Sequence, residues 1–226
     1  MRISPPVAAG LTLIVALAWA SSPAPAQQRG PKHRPPKTDA ELVANAMSAA
    51  PRAVAREATI VAMDEKGQMR TLRKGTGNFT CIPDNPTTPG NDPMCLDPNG
   101  MAWAEAWMSK KEPPSGKVGF GYMLQGGSDA SNEDPYATKP APGKKWVDTG
   151  PHVMLFNVKG MVEGYPTQAG DPTKPYVMWP GTPYEHLMIP VGPARGMPRA
   201  MSKGAAQPAP GGPGSASGAQ PGASPK

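Results

Sequence analysis

Lys117-Val118-Gly119-Phe120-Gly121-Tyr122-Met123-Leu124 alternates with a period of two. Successive side chains of an extended chain point to opposite faces, so Val118, Phe120, Tyr122 and Leu124 share one face. Gly119, Gly121 and Met123 share the other. Two glycines on one strand face admit close approach by a helix or by a ligand. Tight helix packing is the simpler expectation.

A candidate helix lies just upstream. Asp97-Pro98 reads as an N-cap followed by proline at the first helical position. Met101, Ala104, Trp107 and Met108 then form an apolar stripe, which predicts a helix to about Lys110. Lys110 and Lys111 suit the negative end of its dipole, and Pro113-Pro114 lies beyond. Trp103 and Trp107 stand four residues apart, a spacing that suits a core face better than a carbohydrate platform.

Toward the N-terminus, Thr38-Asp39-Ala40-Glu41 is a capping box, predicting a helix from Asp39 to Ala50 that stops before Pro51. Strands follow at Thr59 to Met63 and Met69 to Leu72, around Asp64-Glu65-Lys66-Gly67, with another at Asn78 to Ile82. Toward the C-terminus, strands are expected at His152 to Val158, Tyr176 to Trp179 and Leu187 to Val191. Hairpins plus two helices, without regular β-α alternation, predict an α+β domain with a mainly antiparallel sheet.

The ends of the chain read differently. Arg2, an apolar run from Val7 to Trp19 and Ala24-Pro25-Ala26 make residues 1–26 a signal peptide cleaved at about Gln27. That run is too short to span a bilayer. Residues 27–37 form a basic linker and residues 193–226 a Pro/Gly/Ala/Ser-rich tail. Both are expected to be disordered, because neither can bury enough area to offset its ordering entropy. A single domain remains, residues 38–192. It holds 14 Lys and Arg against 17 Asp and Glu, a net of −3, so the chain's overall +6 comes from its ends. Basic clustering on the folded part, which nucleic-acid binding needs, is absent. The basic tails suit at most weak contact with anionic envelope components. The chain is expected to be secreted or periplasmic, with no transmembrane segment.

Cys81 and Cys95 are the two cysteines, and in an exported chain they are expected to pair. Closing a loop of about 15 residues contributes roughly 3 kcal/mol in the chain-entropy model. The prolines at 83, 86, 89 and 93 leave that loop little capacity for regular structure. A redox role lacks the C-x-x-C spacing.

Catalytic motifs are missing. Gly126-Gly127-Ser128-Asp129-Ala130 has neither the spacing nor the final glycine of a nucleophile elbow, and no catalytic residues are assigned. No zinc-protease, P-loop or dinucleotide motif occurs. Asp84, Asn85, Asn91, Asp92, Asp97 and Asn99 around the cysteine loop, and Asp129, Asn132, Glu133 and Asp134 beyond it, resemble turn chemistry more than a calcium site.

A weak internal echo is more suggestive. Thr149-Gly150-Pro151-His152-Val153-Met154-Leu155 is answered by Gly181-Thr182-Pro183-Tyr184-Glu185-His186-Leu187-Met188-Ile189. In strands, His152 with Met154, and His186 with Met188, would share a face. Imidazole plus thioether suits copper. Asp148 and Glu185 are the nearest candidates in sequence to orient the rings. Methionine is equally a core filler, so the echo fits a packed core as well.

Cys81-Ile82-Pro83-Asp84-Asn85-Pro86, Asp92-Pro93-Met94-Cys95-Leu96-Asp97, Gly121-Tyr122-Met123-Leu124 and Pro175-Tyr176-Val177-Met178-Trp179 resemble a family of uncharacterised secreted bacterial proteins with no known activity. The resemblance runs from about Ala46 to Val191; it implies export and the domain limits, and no site residues. The favoured expectation is an exported binding or envelope-associated module. The alternatives are a periplasmic copper-binding protein using the two His-x-Met units, and a small-molecule-binding or hydrolytic domain with a pocket at the glycine strand.

Overall fold

The computed structural model describes residues 33–64, 67–168, 171 and 174–192. The signal peptide, most of the basic linker and the C-terminal tail lie outside the described residues. Helix α1 spans Asp39–Met47, and the capping box forms: Thr38 Oγ1 accepts the Glu41 N–H at 3.2 Å, and the Glu41 carboxylate accepts the Thr38 N–H at 3.0 Å. Two N–H donors of the first turn are thereby satisfied. The helix stops at Ser48, short of the expected Ala50, and Pro51 opens a second helix, α2, over Arg52–Glu57. Six residues carry too few turns for a periodic signal. The end of α2 is held by Arg73, whose guanidinium donates to the carbonyls of Ala55 at 2.7 Å and Ala58 at 2.9 Å.

Ten strands follow among the described residues: β1 Thr59–Met63, β2 Met69–Arg73, β3 Thr80–Ile82, β4 Met94–Leu96, β5 Gly119–Met123, β6 Gly127–Asp129, β7 Val147–Thr149, β8 His152–Phe156, β9 Tyr176–Met178 and β10 His186–Pro190. Eight form one sheet in the order β2-β1-β3-β4-β5-β8-β10-β9. All its pairings are antiparallel except β1 with β3. The domain is therefore α+β with a mainly antiparallel sheet, and it carries three helices where two were expected. Strand β4, at the end of the proline-rich loop, was not foreseen either. It places Cys95 directly opposite Cys81, with Cα atoms 3.9 Å apart, and the two form a disulfide buried in the core.

Helix α3, Pro98–Met108, is capped by Asp97, whose carboxylate accepts the N–H of Gly100 at 2.7 Å and of Phe120 at 3.0 Å. One side chain thus ties the start of α3 to β5. The two faces of the sheet are covered by different helices. Ile60, Cys81, Cys95 and Tyr122 meet Ala46 and Ala49 of the α1 region on one face. On the other face α3 lies on Gly119. A Cβ at Gly119 would stand 2.5 Å from the Gly100 nitrogen, so the glycine strand is read by helix backbone.

The β5–β8 ribbon does not end with the main sheet. Gly126, at φ +79°, turns the chain into β6, which pairs with β7 in a second, two-stranded sheet. Residues beyond β6 then reach the far edge. The Trp179 N–H donates to the Asn132 carbonyl at 2.8 Å, Trp179 Nε1–H to the Ser131 carbonyl at 3.0 Å, and Asn132 Nδ2–H to the Val177 carbonyl at 3.1 Å. Further on, Trp107 Nε1–H donates to the Pro135 carbonyl. This strap, together with α3, encloses one face of β5, β8, β10 and β9. It is called the inner face below.

At the other end of the described chain, His33 Nε2 lies 2.7 Å from the buried Asp84 carboxylate, and Arg34 pairs with Glu41 at 2.7 Å. Five residues before Thr38 therefore lie against the domain.

Candidate functional site

The register assembles the inner face row by row. Leu96, Gly121, Met154, Met188 and Tyr176 stand opposite one another across five strands. His152 stands between Met123 and Pro190 in the next row. On the other side of the methionine row, Phe156 faces Gly119, and His186 faces Met178. Side chains two apart in a strand share a face, so both His-x-Met units contribute to this one layer. All four of their side chains are buried, the two histidines to 2% exposure each.

The echo in the sequence is thus a local near-twofold arrangement. Met154 and Met188 pair directly on antiparallel strands, and each histidine sits two residues before its methionine, on opposite sides of that pair. Ring geometry repeats as well. His152 Nδ1 lies 2.8 Å from the Gly150 carbonyl, and His186 Nδ1 lies 3.0 Å from the Tyr184 carbonyl. Each ring therefore donates from Nδ1 to the carbonyl two residues upstream, which makes Nε2 the accepting nitrogen; at His152 that nitrogen has no partner among the described residues. The orienting acceptors are main-chain carbonyls, not the expected Asp148 or Glu185; the Glu185 carboxylate instead accepts the Gly181 N–H.

Electrostatics follow from enclosure. Burial pushes both histidines down to about 4, and the nearby His152 depresses His186 further. Both rings are neutral at pH 7. Asp129, at the end of β6, is pushed up to about 6, first by burial and then by the charges of Asp92 and Asp134, against hydrogen bonds from the Ser131 and Ala130 N–H groups. Its charge in turn adds to burial in raising the Tyr176 phenol. Asp129, on the small sheet, thus acts electrostatically on a residue of the inner face.

Four buried polar atoms have no hydrogen-bond partner among the described residues: His152 Nε2, Tyr176 Oη and Trp103 Nε1 on residues of this layer, and Asn132 Oδ1 in the strap. Trp103 belongs to α3, and its ring meets Phe156 at 4.4 Å, His186 at 5.1 Å and Trp179 at 6.0 Å. His186 is also edge-on to Trp179 at 5.1 Å, so the two histidines differ in surroundings. His186 is caged by aromatic rings, whereas His152 lies at the methionine end of the layer.

Other candidates resolve into structure. Asp84 accepts the Asp92 N–H at 2.8 Å and meets His33; Asp92 accepts the Ser128 N–H at 3.0 Å and the Thr88 hydroxyl; Asp134 accepts the Tyr136 N–H at 2.8 Å. These carboxylates pin the cysteine loop to β6 and shape turns. Cys81 and Cys95 lie on the opposite face from the histidines. Tyr176 had no signal in the sequence as a site residue, and Trp103 and Asp129 read there as core and turn chemistry, because their role depends on what the strap and α3 bury. No protein-family model, curated protein or solved structure matches the chain.

Proposed function

We infer that this chain is an exported binding module whose site is the enclosed inner face of β5, β8, β10 and β9. The observation that carries this reading is the trio of unpartnered buried atoms, His152 Nε2, Tyr176 Oη and Trp103 Nε1, around one apolar layer. A buried polar atom without a partner costs roughly 1–3 kcal/mol, so three on residues of one packed layer favour an occupant that meets them. Apolar walls with a few convergent polar atoms are the usual make-up of a small-ligand site.

Export is supported by the apolar run and cleavage site at residues 7–26 and by the Cys81–Cys95 disulfide, which persists in oxidising compartments. No helix among the described residues is long and apolar enough to cross a membrane. The location that fits is the periplasm or the medium.

Native mass spectrometry of the chain recovered without denaturation from the exported fraction tests both halves of the proposal. The expected species begins at Gln27 and carries a bound mass that is released on acid unfolding. An uncleaved chain would end the export reading. A bare mass in every preparation, with no metal ion or small apolar compound raising the melting temperature, would end the binding reading.

A further inference from the structure

We propose that the inner face holds one copper(I) ion between the thioethers of Met154 and Met188, with Nε2 of His152 as the third ligand. This assignment rests on the binding reading and names its ligand. Met154 and Met188 are a direct cross-strand pair. Side chains so placed start about 4.5–5.5 Å apart, and two flexible thioether arms from that separation converge on one point. His152 stands one strand repeat away on the same face, about 6.6 Å along β8. Its Nδ1–H is committed to the Gly150 carbonyl, so the atom left to bind is the unpartnered Nε2. A main-chain acceptor behind the ring is the arrangement that orients a ligating imidazole.

The donor set selects the ion. One neutral imidazole and two thioethers are soft ligands without charge, which suit copper(I) and give little to zinc or calcium. Among the described residues no group of three His, Cys, Asp or Glu stands ready for a harder ion. Met123 and Met178 line the same layer and keep its surroundings soft.

Tyr176 stands directly opposite Met188 in the same row, and the charge of Asp129 acts on its phenol; an ion bearing one positive charge in an apolar layer gains from such an anion. Core packing alone accounts for the methionines. It does not account for a buried imidazole whose lone pair has no donor, and a bound cation does.

The test is anaerobic titration of the mature protein with copper(I) against a chromophoric copper(I) chelator. Ascorbate serves as reductant, and intact mass confirms that the disulfide survives. One equivalent is expected to bind. Met154→Leu/Met188→Leu conserves side-chain volume and is expected to weaken binding roughly 100-fold or more, with the melting temperature of the metal-free protein little changed. His152→Gln, which keeps both sulfurs, is expected to show a comparable loss. Met108→Leu/Met161→Leu removes two exposed methionines and is expected to bind as the parent does. Parent binding no tighter than that of the Met154/Met188 variant, or equal loss in the surface variant, would overturn the assignment. An organic occupant found by native mass spectrometry, with no copper(I) retained, would remove copper and leave the binding module standing.

Discussion

Acidification from pH 7 to pH 4.5 is expected to lower the urea midpoint of this protein steeply. In the unfolded chain His152 and His186 take up protons near 6.5, whereas in the folded chain burial holds both at about 4. Their folded values are depressed, so between about 4 and 6.5 the unfolded state binds more protons. The stability is present above 6.5 and is lost as the pH falls through that window. Each histidine accounts for a loss on the order of 3 kcal/mol by pH 4.

Asp129 acts in the opposite direction. Its folded value is raised from 3.8 to about 6, so the folded state holds the extra proton between those values and gains stability as the pH falls. One half-buried carboxyl opposes two fully enclosed imidazoles, and the net effect is loss. Urea midpoints at pH 7, 5.5 and 4.5 measure it. A midpoint unchanged over that range would mean that neither ring is enclosed as described.

Gly119→Ala is the second large effect. The added Cβ would stand 2.5 Å from the Gly100 nitrogen, 2.8 Å from its Cα and 2.9 Å from the Asn99 carbonyl carbon. All three atoms are main chain in the first turn of α3, so no flexible side chain can yield. Either α3 shifts or β5 bends. The shift also breaks the contacts that Asp97 makes to Gly100 and Phe120, and it moves Trp103 off Phe156. A loss of about 3 kcal/mol is expected, near the upper end for overpacking, which corresponds to a fall of roughly 6–12 °C in the melting temperature. Val118→Ala, one residue away at an exposed position, is expected to change stability by less than about 0.5 kcal/mol. Thermal melts in which both variants match the parent would contradict the helix–strand contact.

These two expectations show how legibility was divided along the chain. The period-two run at residues 117–124 specified which face of β5 carries the glycines, and α3 packs on that face. The caps at Thr38 and Asp97 were readable because an N-cap is a local device: the side chain and the N–H it accepts lie within three residues. The His-x-Met echo was readable for the same reason, since a spacing of two fixes a shared face in any strand. That Met154 would stand opposite Met188 was not readable, because register between strands 34 residues apart is set by the whole sheet.

Three strands went unseen, and all are short; one, Val147–Thr149, pairs with another, Gly127–Asp129. Met94–Leu96 has three residues behind a proline-rich loop, and Gly127–Asp129 is Gly-Ser-Asp, with no β-branched or aromatic residue to mark it. Non-local partners hold both in place. Cys95 is drawn to Cys81, and Ser128 is fixed by the Asp92 carboxylate and the Gly90 N–H. Asp129 and Tyr176 became site residues only because that small sheet and its strap enclose the inner face. Titration behaviour that arises from burial leaves no mark in a linear sequence.

On the inner face an unprotonated Nε2 of His152 stands without a hydrogen-bond partner, open to a ligand. Long-range nitrogen NMR of the histidine rings at pH 7, with and without silver(I) as a redox-inert soft ion, tests it most directly. Both buried rings are expected to be neutral and protonated at Nδ1, and one equivalent of silver(I) is expected to move the His152 Nε2 resonance while leaving its Nδ1 proton in place. A His152 ring protonated at Nε2, or an Nε2 resonance unmoved by saturating silver(I), would contradict it.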